Sequence, residues 1–382
     1  MHIRLENLRL SYGGSVAVRD LSLEVAQGEA LVLLGQSGCG KTSTMRCVAG
    51  LEKPDRGLIQ VGDDVLFDSQ RGINRPPHRR HIGMVFQSYA VWPHMTVFQN
   101  VAFPLTMQRV AKAEVSRRVG ETLELVGLDG FATRGASMLS GGQMQRVALA
   151  RSLVMEPSVM LLDEPLSNLD ARLRRRLRGD LRELQMRLGL TSIYVTHDQE
   201  EALALADHIA MMQFGRIVQM GRPHEIYAKP RSASIADFLG VENIVPVDRL
   251  DASMVQASGA GPRFRVSDVP TGAELRACIR AEDIVLADPS GGQGRSDNRF
   301  TATVRQKEFQ GATAIYRLRL VDGPEISVLG SKHEVVAADI GADIDVVIPP
   351  ESIQVLPLEV SDTSDADEAE KTPAERLEKA GA

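Results

Sequence analysis

Residues 30–42 read Ala30-Leu31-Val32-Leu33-Leu34-Gly35-Gln36-Ser37-Gly38-Cys39-Gly40-Lys41-Thr42. Five consecutive apolar residues suit a strand covered on both faces, as in a parallel sheet flanked by helices. The next eight fit G-x-x-x-x-G-K-[ST], and TSTMRCVAGL follows with helical character, so the strand, loop and helix that this motif requires are all present. Three glycines let backbone N–H groups curl around an anion without Cβ obstruction, and the helix offers its positive N-terminus. Lys41 then reaches the β- and γ-phosphates of a nucleotide and the Thr42 hydroxyl becomes a Mg²⁺ ligand. Cys39 lies within the loop and is expected to contribute only its backbone.

Moving outward, residues 159–162, 193–195 and 209–212 are further short apolar runs, separated by stretches of 3.6-residue period. Ile3, Leu5, Leu8 and Leu10, then Leu21, Leu23 and Val25, alternate with polar residues around a Tyr12-Gly13-Gly14 turn, which predicts an antiparallel opening. The first half therefore reads as α/β. From about Gly240, Gly, Pro, Asp and Ser recur between alternating segments such as 301–304 and 314–320, the texture of a small β-barrel. Residues 361–382 hold almost no apolar side chains and are expected to be a disordered tail.

The 382 residues carry 44 Lys and Arg against 50 Asp and Glu, a formal charge of −6. That balance argues against a dedicated nucleic-acid partner, which needs clustered positive charge. Nowhere do 18 apolar residues run together, and the opening MHIRLENL lacks the apolar core of a secretory signal, so a cytosolic chain is expected. Cys39, Cys47 and Cys278 form no disulfide framework or zinc spacing, and Cys47 and Cys278 read as reduced, structural thiols.

A second motif is the apolar run Val159-Met160-Leu161-Leu162, which ends in Asp163 and Glu164. Two acids at the end of a buried strand are costly unless they have a use. Asp163 suits a Mg²⁺ ligand, and Glu164 is placed to orient or deprotonate an attacking water.

Leu139-Ser140-Gly141-Gly142-Gln143-Met144-Gln145-Arg146 closely resembles the LSGGQ signature of ATP-binding cassette (ABC) proteins. Ser140 and two bare glycines open a helix whose N-terminus can bind a γ-phosphate. Other elements follow in that family's order. Tyr12 matches the aromatic that stacks on adenine, residues 35–43 the Walker A loop, and Gln87 the Q-loop glutamine. Asp170, ending Ser167-Asn168-Leu169-Asp170, matches the D-loop, and His197 matches the switch histidine. Gln36 and Met144 depart from common residues at positions that supply no obligatory side-chain ligand.

The resemblance implies a site and a partner. Two copies pair head to tail, so Ser140, Gly141, Gly142 and Gln143 serve the partner's nucleotide while Tyr12, Gly35, Gln36, Ser37, Gly38, Cys39, Gly40, Lys41, Thr42 and Ser43 bind the chain's own, and Asp170 is a further nucleotide-binding residue. Thr42, Gln87 and Asp163 hold Mg²⁺, and Glu164, His197, Lys41 and Gln87 serve hydrolysis of ATP by water. Residues 88–158 correspond to a helical subdomain that meets membrane subunits, where Trp92 either anchors that interface or packs its own subdomain. The five arginines within 172–178 read as a solvated helix face.

The second half resembles the transport-associated oligonucleotide/oligosaccharide-binding (OB)-type β-domain of importer ATPases, through IRAEDIVLA at 279–287, EFQGATAIYRLRL at 308–320 and IPPESIQVLP at 348–357. The expected fold is an α/β P-loop NTPase with an ABC ATPase core over 1–238, then an all-β OB-type barrel over 239–360. The implied function is the ATPase of an ABC importer, a homodimer at the cytoplasmic face of the inner membrane. It would work with two permease subunits and, through them, an extracytoplasmic solute-binding protein. The second half looks closer to the iron(III), polyamine and phosphonate branch than to the maltose branch. Non-transport ABC ATPases carry tandem cassettes or long coiled-coil insertions, and this sequence has neither.

Overall fold

The structure is a computed structural model that describes residues 3–272, 274–287, 298–331 and 339–359. The tail expected over 361–382 lies outside the described residues. The chain divides into two compact units, Met1–Ala228 and Lys229–Ala382.

In the first unit, strands β1 (Ile3–Tyr12) and β2 (Ser15–Val25) form the antiparallel opening. β3 (Ala30–Leu34) runs through the phosphate-loop segment into α1 (Lys41–Ala49). Strands β4 (Arg56–Val61), β5 (Asp64–Asp68) and β6 (Ile73–Asn74) complete an antiparallel sheet of order β2-β1-β4-β5-β6. β7 (Ile82–Val85) leads to three helices, α2 (Val97–Met107), α3 (Lys112–Leu125) and α4 (Gly141–Leu153). The chain then returns through β8 (Val159–Asp163), α5 (Ala171–Leu188), β9 (Ser192–Thr196), α6 (Gln199–Leu205), β10 (His208–Gln213), β11 (Arg216–Gly221) and α7 (Pro223–Ala228). The second sheet has the order β11-β10-β3-β9-β8-β7 and is parallel from β10 to β7.

The order explains the sequence texture. β3, β8 and β9 sit inside the sheet and every residue of each is buried, whereas β1, in the other sheet, alternates. One apolar cluster joins both sheets to α1 through Ile3, Leu21, Leu33, Met45, Val48 and Val195. The phosphate loop therefore hangs between two rigid elements. In the helical insert, Thr96 and Ser140 start α2 and α4 with capping boxes to Gln99 and Gln143. Trp92 packs within this insert, its ring 4.6 Å from Phe103 and the Arg151 guanidinium 4.7 Å above it.

The second unit opens with α8 (Ala233–Phe238), whose Ala233 and Ala236 pack with Val241 and Cys278. That packing draws the helix into this unit, ahead of the change of texture near Gly240. Strands β12 (Asn243–Arg249), β13 (Met254–Ala257), β14 (Arg263–Arg265) and β15 (Leu275–Ile279) form one antiparallel sheet with the last strand of the unit. β16 (Val285–Ala287), β17 (Arg299–Phe309), β18 (Thr313–Leu320), β19 (Glu325–Ser331) and β20 (Asp343–Val347) form a second, and β21 (Ile353–Pro357) closes the first beside β15. The two curled sheets share one core around Phe264, Tyr316, Leu318 and Val346. Two buried asparagines tie them together. Asn243 on β12 donates to Ser327 O and accepts from Ser327 N, and Asn298 exchanges hydrogen bonds with the Arg265 backbone while donating to Ile348 O. This is the half-barrel pairing of an OB-type domain.

Candidate active site

The phosphate loop owes its shape to contacts that exclude side chains. A Cβ on Gly35 would lie 2.3 Å from Met212 O, and one on Gly40, at φ 100°, would lie 2.4 Å from Ala17 O. Only glycine fits either position. Lys41 is buried, and its Nζ donates to Gly35 O at 2.7 Å and Gln36 O at 2.9 Å, which holds the ammonium over the loop. Burial raises the Cys39 thiol pKa despite nearby Lys41, so this cysteine stays neutral within the loop. The opposite end of α1 is closed by Arg80, which is buried and donates to Cys47 O at 2.8 Å and Val48 O at 2.9 Å. A cation on the C-terminal carbonyls satisfies them and complements the dipole whose positive end faces the loop.

Asp163 and Glu164 end β8 beside this loop. The Thr42 hydroxyl donates to Asp163 Oδ1 at 3.0 Å. Burial pushes the Asp163 carboxyl above the usual carboxylate range, with the Thr42 hydrogen bond opposing it. Glu164 has φ 42°, a left-handed conformation that costs an ordinary residue about 1–3 kcal/mol. Its peptide is pinned on both sides: its N–H donates to Val195 O at 3.0 Å, and its carbonyl accepts from Ser167 Oγ at 2.9 Å. That strained backbone presents the carboxylate to two partners, Gln87 Nε2 at 3.2 Å from Oε2 and His197 Nδ1 at 3.1 Å from Oε1. Backbone strain is thus concentrated at one residue that three segments address.

Other expected residues fall into two groups. Tyr12 is half exposed, and its hydroxyl lies 3.5 Å from Ser43 Oγ, so its ring stands beside the N-terminus of α1. Ser140 and Gln143 form the cap of α4, and Gly141 faces Leu169, which joins this stretch to the segment after Glu164. Asp170 is the N-cap of α5, accepting from Leu173 N–H at 3.0 Å.

Several contacts around Gln87 and α5 could not be read from the sequence. Asn168 Nδ2 donates to Gln87 O at 2.9 Å, and Arg151 donates to Tyr89 O and Ala90 O, both in left-handed backbone just after Gln87. Arg172, Arg175 and Arg176 form the solvated face expected of the run 172–178, whereas Arg174 and Arg178, together with Arg182 beyond that run, are partly buried. These last three pair with Asp198, Glu200 and Asp207 respectively. The spacing of four that puts them on one side of α5 was visible, but their acidic partners lie beyond the next strand.

A model of the ABC transporter family matches residues 18–167, and a TOBE domain model matches residues 277–356. The trehalose/maltose import ATP-binding protein MalK of Thermococcus litoralis is 43% identical over 365 residues, 92% of this chain and 96% of the relative. The chain belongs to the ABC transporter family of ATP-binding proteins. The Fe(3+) ions import ATP-binding protein FbpC of Agrobacterium fabrum is 48% identical over 76% of this chain and 81% of that protein. The spermidine/putrescine import ATP-binding protein PotA of Rubrobacter xylanophilus is 44% identical over 84% of each. Among solved structures, CbiO1 of Clostridium perfringens, part of the ABC transporter complex CbiONQ, superposes with a TM-score of 0.54 at 32% identity, over 59% of this chain and 90% of its own. As a member of this family the chain binds ATP, and its ATPase activity is coupled to transport. Among the described residues, no helix is long and apolar enough to cross a membrane.

Proposed function

We propose that Glu164 is the residue that handles water in ATP hydrolysis, and that the chain drives an importer as one of two identical motor subunits on the cytoplasmic face of the inner membrane. The observation that carries this reading is the Glu164 carboxylate held between Gln87 Nε2 and His197 Nδ1 beside the phosphate loop. A carboxylate so oriented accepts a proton from water as that water attacks the γ-phosphate in line. Lys41 exchanges its two carbonyl partners for phosphate oxygens, and His197 supplies a donor where charge develops. Tyr12, standing beside Ser43, offers its ring to adenine.

The donor set suits Mg²⁺. Asp163 and Thr42 supply hard oxygens 3.0 Å apart, with the Gln87 amide addressing the adjacent carboxylate. Asp163 is also a desolvated carboxylate whose nearest relief is one hydroxyl, an arrangement that a cation improves. Bound there, Mg²⁺ would neutralise phosphate charge, with Asp163, Thr42 and Gln87 as its protein-side ligands.

Ser140, Gly141, Gly142, Gln143 and Asp170 would meet the nucleotide of a second copy. A groove of about 770 Å³ lined by Met95, Phe98, Phe103 and Val115 on the helical insert offers permease subunits an apolar seat. The cargo would be iron(III), a polyamine, a phosphonate or a related small solute delivered by an extracytoplasmic binding protein. Iron and polyamine importers are among the relatives, and the sugar importer that matches over 92% of the chain supports a maltose-type alternative. The test is uptake of labelled solute into proteoliposomes holding the permeases and this chain with ATP inside. ATP-dependent uptake that Glu164→Gln abolishes supports the proposal; uptake unaffected by that substitution overturns it.

A further inference from the structure

We infer that Arg174 is a positioning residue of the hydrolytic site, clamping the segment that follows Glu164 to the segment that carries His197. The inference rests on the reading of Glu164 and His197 as the hydrolytic pair. These residues leave different strands, and the 3.1 Å between them depends on where two loops lie. Arg174, in the first turn of α5, reaches both loops. Its NH2 donates to Leu169 O at 3.1 Å and Ser167 O at 3.4 Å, and its NH1 donates to Asp198 Oδ2 at 3.1 Å. Its Nε lies 4.0 Å from Glu201 Oε1.

Three of these four contacts lead to the pair. Ser167 is the residue whose Oγ and N–H hold the Glu164 carbonyl, at 2.9 and 3.2 Å. Asp198 follows His197 in the chain, and its other carboxylate oxygen caps α6 by accepting from Glu201 N–H at 3.1 Å. Glu201 is buried and receives Thr196 Oγ1 at 2.7 Å and Tyr194 OH at 3.2 Å, so the anchor on the His197 side is tied into β9. The Arg174 side chain is 31% exposed. Its neighbours on the same stripe do other work: Arg178 pairs with a largely exposed Glu200, and Arg182 with Asp207 near the far end of α6.

A planar guanidinium can serve a carboxylate on one edge and two carbonyls on the other, whereas an ammonium cannot span both. Misplacing a catalytic group by about 1 Å costs on the order of a hundredfold in rate. Arg174→Ala should therefore lower kcat by about 10- to 100-fold while leaving the phosphate loop, and with it ATP binding, intact.

The experiment measures ATP-binding stoichiometry, KM and kcat on full-length wild type, Arg174→Ala, Arg174→Lys, Asp198→Asn and Arg174→Ala/Asp198→Asn, with Glu164→Gln as a reference. Asparagine keeps the cap on α6 and removes the charge that Arg174 engages. The expected result is unchanged stoichiometry and KM, a kcat loss in Arg174→Ala that lysine partly restores, and a double variant no slower than the slower single one. Wild-type kcat in Arg174→Ala, a fall in kcat matched by an equal fall in stoichiometry, or additive losses in the double variant would overturn the clamp. Turnover surviving in Glu164→Gln would overturn the underlying assignment instead.

Discussion

His197 Nδ1 and Glu164 Oε1 stand 3.1 Å apart although the two residues leave the ends of separate strands. The strands are parallel neighbours, with Asp163 opposite Val195 in register, and Glu164 N–H reaches across to Val195 O. One backbone hydrogen bond thus sets the height of the carboxylate, and the imidazole arrives from the adjoining strand. Gln87, from the end of a third strand, meets the second carboxylate oxygen. The parallel sheet brings three chemically different groups to one point at its C-terminal edge, where open α/β sheets bind ligands.

Glu164→Gln preserves shape and removes the proton acceptor proposed for hydrolysis. Steady-state phosphate release should fall by about 10²- to 10⁴-fold, the span of general-base contributions. Equilibrium ATP binding should stay within a few-fold of wild type, and the ATP-loaded protein should elute as a dimer in gel filtration. Near wild-type turnover would remove Glu164 from its role.

Lys41→Ala removes the cation at the loop. Hydrogen bonds to charged groups contribute about 1.5–3 kcal/mol, so ATP affinity should drop at least about tenfold. Equilibrium dialysis with labelled ATP reads this directly. Unchanged affinity would show that the loop's backbone alone carries the phosphates.

The motifs were legible because their chemistry is local. A buried strand ending in a glycine turn, or in two acids, states its purpose within a dozen residues. Arg80 and Arg174 were not legible, because each acts on backbone carbonyls that any residue could supply, 32 or 33 positions away in the case of Arg80. Asn243 gave no signal either, since its partner Ser327 is 84 residues distant and joins it only when the two sheets meet. The strain at Glu164 likewise follows from β8 meeting β9 and is invisible in the acid pair itself.

Asp163→Asn should separate stability from activity. The buried carboxylate pays a desolvation penalty that a neutral amide of the same shape avoids, while Thr42 Oγ1 can still donate to the remaining oxygen. Thermal unfolding should occur at an unchanged or higher temperature, whereas Mg²⁺-dependent ATP turnover should fall by at least about tenfold, the equivalent of 1.4 kcal/mol. A large loss of stability would show that ionised Asp163 supports the fold.

Alkaline pH should weaken the first unit through one thiol. Burial pushes Cys47 from 9.0 up to about 12. The folded state holds this thiol neutral, while the unfolded chain ionises it from about its ordinary value. The stabilisation is therefore complete below pH 9.0 and is lost as pH rises from there towards about 12. At about pH 10 the loss should be roughly 1.4 kcal/mol, the equivalent of one pKa unit. Denaturant unfolding of wild type and Cys47→Ala near pH 8 and near pH 10 isolates the contribution. The alanine variant loses the thiol's packing at both pH values, so only the difference in slope carries the signal. Wild type should lose about that much more than the variant between the two, and equal losses would show that Cys47 ionises as readily folded as unfolded.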